Sequence, residues 1–162
     1  MHPGQSELAA KVNAEEFLSI SFREISELID RIISNKNITE ENLLALLNRI
    51  RARIFVVEIK IYPYIDQKGK ERIRGFEVEH AGMLQMLDKI RLYYERNMTD
   101  KVIDRLTSLK KLIQIHNDLE TGFIKNLDAN GTHPGANELE QSALNYIPPE
   151  DWKQKYSLER KL

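Results

Sequence analysis

The sequence contains no cysteine, which excludes disulfides, thiolate metal sites, cysteine nucleophiles and iron–sulfur clusters together. It also lacks a dominant charge: 24 Lys and Arg stand against 25 Asp and Glu, for a formal net charge of -1. No block of like charge stands out, so nucleic acid and anionic membrane surfaces are not expected partners. No apolar run approaches the roughly 20 residues needed to span a bilayer, and Met1-His2-Pro3-Gly4-Gln5-Ser6 lacks the layout of a secretory signal. These absences, with the missing cysteine, make a soluble cytoplasmic protein the expectation. Strand-type alternation of useful length and internal repeats in the solenoid range are missing too. So are a Gly-x-Ser-x-Gly elbow, a phosphate-cradling glycine loop and a nucleotide fingerprint, and nothing marks the chain as an enzyme with catalytic residues.

What is present is helical periodicity. At 162 residues, with 41% hydrophobic and 30% charged, the chain suits one compact globular domain. Asn13, with Glu16 three residues on, resembles a capping box and predicts the start of a first helix. Phe17, Leu18, Phe22, Ile25, Leu28, Ile29 and Ile32 follow at helical spacing. A polar turn at Ser34-Asn35-Lys36-Asn37 precedes Thr39, the expected N-cap of a second helix with Glu40 and Glu41 in its first turn. Its stripe is Leu43, Leu47, Ile50, Ile54, Val57 and Ile61, closed by Pro63 and Gly69. A third helix is predicted from about Lys70 to Arg96, with Ile73, Phe76, His80, Met83, Leu84, Leu87, Ile90 and Tyr94 inward. After a turn at Asn97-Met98-Thr99-Asp100, a fourth carries Val102, Ile103, Leu106, Leu109, Ile113, His116, Leu119 and Phe123 and fades at Asp128-Ala129-Asn130-Gly131.

Four amphipathic helices joined by short turns favour an all-α fold, an antiparallel up-down-up-down four-helix bundle over residues 13–130. Residues 131–162 form a tail holding three of the five prolines. There Pro148-Pro149-Glu150-Asp151-Trp152 predicts a short helix. Trp152, Tyr156 and Leu158 are expected to pack on the bundle or on a partner.

Polar residues on inward faces are the informative ones in such a core. His80 and His116 are nearly equidistant from the turn at Met98, which sets them at one height in an antiparallel pair. Folding about the earlier turns adds Ile54 and either Ser21 or Phe22 to that layer. One turn away lie Glu58, Glu77 and Glu120, all displaced toward the same end. Burying unpaired carboxylates is costly, and this mix of nitrogen and oxygen donors suits iron, manganese or zinc. The competing explanation is a hydrogen-bonded polar core without an ion, since His116 and Glu120 at i, i+4 are a spacing that many helices carry. His2 and His133 fall in terminal or tail segments and are assigned no role.

The pattern resembles the hemerythrin-like (HHE cation-binding) family over about residues 13–130. Glu58-Ile59-Lys60-Ile61-Tyr62-Pro63-Tyr64-Ile65 is similar to that family's helix-two ending, Glu79-His80 to its helix-three step, and His116 with Glu120 to its helix-four pair. The resemblance implies a non-haem iron site, with Glu58 and Glu120 as bridging acids and His80 and His116 as histidine ligands. The family's other histidine positions fall on Phe22, on Ile54 (Arg53 if the register slips by one) and on Phe76. None of these three ligates a metal, so the resemblance implies a reduced site at His80, His116, Glu58, Glu120 and Glu77, with Tyr62 nearby, in a metal-binding or sensing module. The alternative is a metal-free interaction or structural module that uses the surface around Trp152 and Tyr156 and pairs with a protein partner or with itself. Ferritin-like diiron chemistry ranks last, because Glu77-x-x-His80 has no second copy: Ile113 precedes His116 at i−3.

Overall fold

The computed structural model describes residues 3–35, 38–65, 69–125, 136–147, 152, 155 and 156. Among them the chain is helical with no β-strand, and its five α-helices are α1 (Pro3–Asn35), α2 (Glu40–Val56), α3 (Lys70–Glu95), α4 (Thr99–Lys125) and α5 (Ala136–Leu144). No helix is long and apolar enough to cross a membrane.

The first helix does not start at Asn13. It runs through that position from Pro3, because Leu8-Ala9-Ala10-Lys11 are strong helix formers that override a capping side chain. Pro3 suits the first helical position, where its missing N–H leaves no bond unmade. The second helix starts as expected: Thr39 is extended (φ -116, ψ 155) and its Oγ1 accepts the Asn42 N–H at 3.1 Å. Its far end differs from the expectation. Val57–Ile61 widen into a π-helical turn, with the Tyr62 N–H donating to the Val57 carbonyl, and Tyr62–Tyr64 tighten into a 3₁₀ turn containing Pro63. Proline offers no N–H and its ring clashes with the preceding turn, so a regular α-helix cannot continue here. Such wide turns gather at functional sites, and this one carries Glu58 and leads into Tyr62.

Between α3 and α4 the chain reverses at Asn97, whose φ of 56° is a left-handed conformation that Asn tolerates. The amides of Lys101 and Val102 both reach the Met98 carbonyl at 3.1 Å to open α4. The helices α1 to α4 enclose one apolar core, with Phe17, Leu18, Ile29, Ile50, Phe76, Ile90 and Leu106 fully buried. The inward face of α4 differs from the expected one at several places: Ile103 and Phe123 are only partly buried, and Ile124 is buried. Leu119 is 43% exposed, while Asn117 is buried beside His116.

The helix α5 was not foreseen. Its Leu139 is fully buried, and the segment packs on α1 and α2. Trp152 is buried and packs edge-on against Phe55 and Tyr156 (centroids 5.5 Å from each), with Tyr146 at 6.1 Å. The described residues of the tail therefore pack on α2. The expected helix start at Pro148–Asp151, Leu158 and His133 lie outside the described residues.

Candidate metal centre

Two imidazoles meet in the core between α3 and α4. His80 and His116 are fully buried, and their Nε2 atoms lie 3.1 Å apart. Each ring turns its other nitrogen to a carboxylate: His80 Nδ1 to Glu58 Oε2 at 2.7 Å, and His116 Nδ1 to Glu79 Oε2 at 2.8 Å. An ionised carboxylate can only accept, so each Nδ1 carries a hydrogen, and in the neutral form of the ring each Nε2 keeps a lone pair. With both rings neutral, two lone pairs face each other across 3.1 Å and repel, and a cation between them, a metal ion or a single shared proton, relieves this.

Glu120, fully buried, completes the group. Its Oε2 is 3.4 Å from His116 Nε2 and 3.8 Å from His80 Nε2. A point equidistant from three atoms with these separations lies about 2 Å from each, close to the roughly 2.0–2.2 Å of zinc–imidazole and zinc–carboxylate bonds. The same Oε2 accepts from the Tyr62 hydroxyl, and Oε1 has no hydrogen-bond partner among the described residues. That oxygen faces Arg53, so the donors at the point between the rings are the two Nε2 atoms and Oε2. Two neutral nitrogens and one carboxylate oxygen thus fit a first-row divalent ion.

Two aromatic rings flank the imidazoles. Tyr62 lies parallel to His80 (interplanar 7°, centroids 6.3 Å), and Phe76 stands edge-on to His116 at 5.4 Å. A surface cavity of about 540 Å³, walled by Glu58, Tyr62, Ile73, Glu77 and Lys155 among others, reaches the edge of the site.

On the far side of Glu120 sits a buried cation. The Arg53 guanidinium donates from Nε to Ser21 Oγ and from its Nη2 to Asn117 Oδ1, both at 2.8 Å, and its Nη1 lies 3.6 Å from Glu120 Oε1. Burial pushes the Glu120 carboxyl up, but a hydrogen bond from His116, available when a proton sits on its Nε2, and the Arg53 charge outweigh it and bring it down to about 2. Burial likewise raises the Glu58 carboxyl, and His80, Lys155 and Tyr156 together hold it below its usual value. Burial and the neighbouring Glu120 raise the Tyr62 phenol well above its ordinary value.

Of the residues singled out from sequence, His80, His116 and Glu120 converge on one point. Glu58 contacts the outer nitrogen of His80 rather than that point. Glu77 instead pairs with Lys155, which also bonds Glu58 Oε1 at 2.8 Å. The α1 and α2 residues that reach the polar group are Ser21 and Arg53, while Phe22 is only partly buried. Sequence reasoning gave no site role to Glu79, Asn117 or Lys155. Arg53 had a visible signal, a charge with Ile50, Ile54 and Val57 as its helical neighbours, although Arg49 and Arg51 stand close by. No protein-family model, curated protein or solved structure matches the chain.

Proposed function

We propose that this chain is a metal-binding or sensing module, an antiparallel up-down-up-down four-helix bundle related to the hemerythrin-like family, that holds a single non-haem ion in its core. The observation that carries this reading is the convergence of His80 Nε2, His116 Nε2 and Glu120 Oε2 at 3.1–3.8 Å, with both Nδ1 atoms braced by glutamates. Metal-ligating histidines commonly carry such carboxylates on their second nitrogen, which fix the ring and the tautomer. Iron is the ion the family resemblance favours, and manganese or zinc suit the same donors. His80, His116 and Glu120 bind, Glu58 and Glu79 orient the rings, and Tyr62 and Phe76 keep bulk water from the donors.

Metal analysis of protein purified from iron-supplemented cells tests the reading. One ion per chain is expected, and it is lost in His116→Ala. Substoichiometric metal that His116→Ala leaves unchanged sinks the proposal.

A second reading, a metal-free helical module for protein interaction, has one specific observation in its favour. Arg53 faces Glu120 and Lys155 bonds Glu58, so both buried acids already have a cationic neighbour. The two readings separate on stability: a chelator lowers the melting temperature only if an ion binds the native state.

A further inference from the structure

We propose that Arg53 is a built-in cation that limits this core to a single metal ion by occupying the second face of Glu120. The inference rests on the single-ion reading of the His80–His116–Glu120 site. Glu120 has two oxygens with different company. Its Oε2 faces the two Nε2 atoms, and its Oε1 faces the Arg53 Nη1 at 3.6 Å without a hydrogen bond. A carboxylate so placed could serve one ion on each lobe.

The surroundings of the second lobe are themselves suited to a cation. Ser21 Oγ, Asn117 Oδ1 and Glu120 Oε1 come from α1 and α4 and all face the position of the guanidinium. They are hard oxygen donors of the kind manganese and magnesium accept. Arg53 engages all three. Ser21 and Asn117 hold its head at 2.8 Å, so the positive charge is fixed there even if Glu120 turns toward the imidazoles. Arg53 and Glu120 are 4% and 0% exposed, so water does little to screen a second positive charge beside the first. Arginine is suited to the role because its guanidinium stays protonated and its planar fork reaches several acceptors at once.

Arg53 is thus a positioning residue that sets ion stoichiometry. The test counts bound Mn²⁺ per chain after dialysis of the full-length protein against excess Mn²⁺. The natural chain is expected to hold one ion. Arg53→Ala is expected to hold two, the second more weakly, and millimolar guanidinium added to the variant is expected to return it to one. Two ions on the natural chain overturn the proposal. So does a helical, folded Arg53→Ala that holds one ion with and without guanidinium. If Arg53→Ala does not fold even with guanidinium, Arg53→Gln and Arg53→Lys take its place, with two ions expected for the neutral variant and one for the charged. Equal counts in that pair overturn the proposal. Absence of bound Mn²⁺, Fe²⁺ and Zn²⁺ from the natural chain is a different failure, since it removes the metal-binding reading beneath.

Discussion

His80 and His116 face each other through Nε2 atoms 3.1 Å apart, and each turns its Nδ1 to a glutamate from another helix. The pairs cross-link the helices: His80 of α3 reaches Glu58 at the wide turn after α2, and His116 of α4 reaches Glu79 of α3. The two carboxylates settle both tautomers at once, and so decide which lone pairs face the core. The glutamates outside the imidazole pair are therefore part of its chemistry, although neither touches the point between the rings.

Replacing those braces is expected to weaken metal binding without removing a donor. Glu79→Gln and Glu58→Gln should each lower affinity by about 10–100-fold, the usual effect of losing the carboxylate behind a histidine ligand. A glutamine can present its amide N–H to Nδ1 and favour the wrong tautomer. Competition titration against a zinc chromophore measures this. Unchanged affinity in both variants would show that the tautomers are set in some other way.

Acid should destabilise the fold through Glu120. Its carboxyl stands at about 2 in the folded chain against an ordinary 4.5. A depressed carboxylate contributes stability above its unfolded value, and that stability is lost as pH falls from about 5 toward 2. The shift corresponds to something on the order of 3 kcal/mol. Glu58 is lowered as well and adds in the same direction. Urea unfolding at a series of acid pH values should therefore show stability falling through this window, with a shallower fall in Glu120→Gln. An identical acid limb in that variant would contradict the assignment.

Turn chemistry made the start of α2 and the reversal after α3 legible in the sequence, because Thr39 caps through its side chain and Asn97 tolerates a left-handed backbone. The start of α1 was not, since a capping residue inside an alanine-rich run competes with propensity and loses. Counting from the turn at Met98 places His80 and His116 at one level, because residue spacing along paired helices is a simple metric. Rotation about a helix axis is less forgiving. One residue of register turns a side chain by about 100°, which is the difference between Phe22 with Ile54 and Ser21 with Arg53. Glu79 was hidden for a related reason. It follows the outward Val78, yet a long side chain at the flank of α3 reaches α4. In α5, Leu139 is the one fully buried residue among those whose side chains are described, too faint a signal to stand out.

Breaking the buried ion pair from one side should be costly. Arg53→Met leaves Glu120 without its cation and Ser21 and Asn117 without their donor. A loss of about 3–5 kcal/mol is expected, as for other buried pairs with one partner removed. The double variant Arg53→Met/Glu120→Gln should lose less than the two single losses added together, because no charge is left behind. Chemical denaturation of the four proteins forms the cycle. Strict additivity would mean that the 3.6 Å approach of Arg53 to Glu120 has no energetic weight.

Trp152 is the only tryptophan in the sequence, and it is buried between Phe55, Tyr146 and Tyr156. Its emission is therefore a single-site report on docking of the tail, blue-shifted while the ring is sheltered. Truncating its partner in Phe55→Ala removes one edge-on contact and opens space on α2, a change that costs about 3–5 kcal/mol for a buried phenylalanine. Trp152 loses that contact on α2, so the ring should move toward solvent and the emission shift to the red. Lys155 and Tyr156 follow Trp152 in the chain and both bond Glu58. The same substitution should therefore loosen the Glu58 brace on His80 and lower metal affinity, although Phe55 touches no donor atom. A red shift with affinity intact would mean that the tail docks independently of the site.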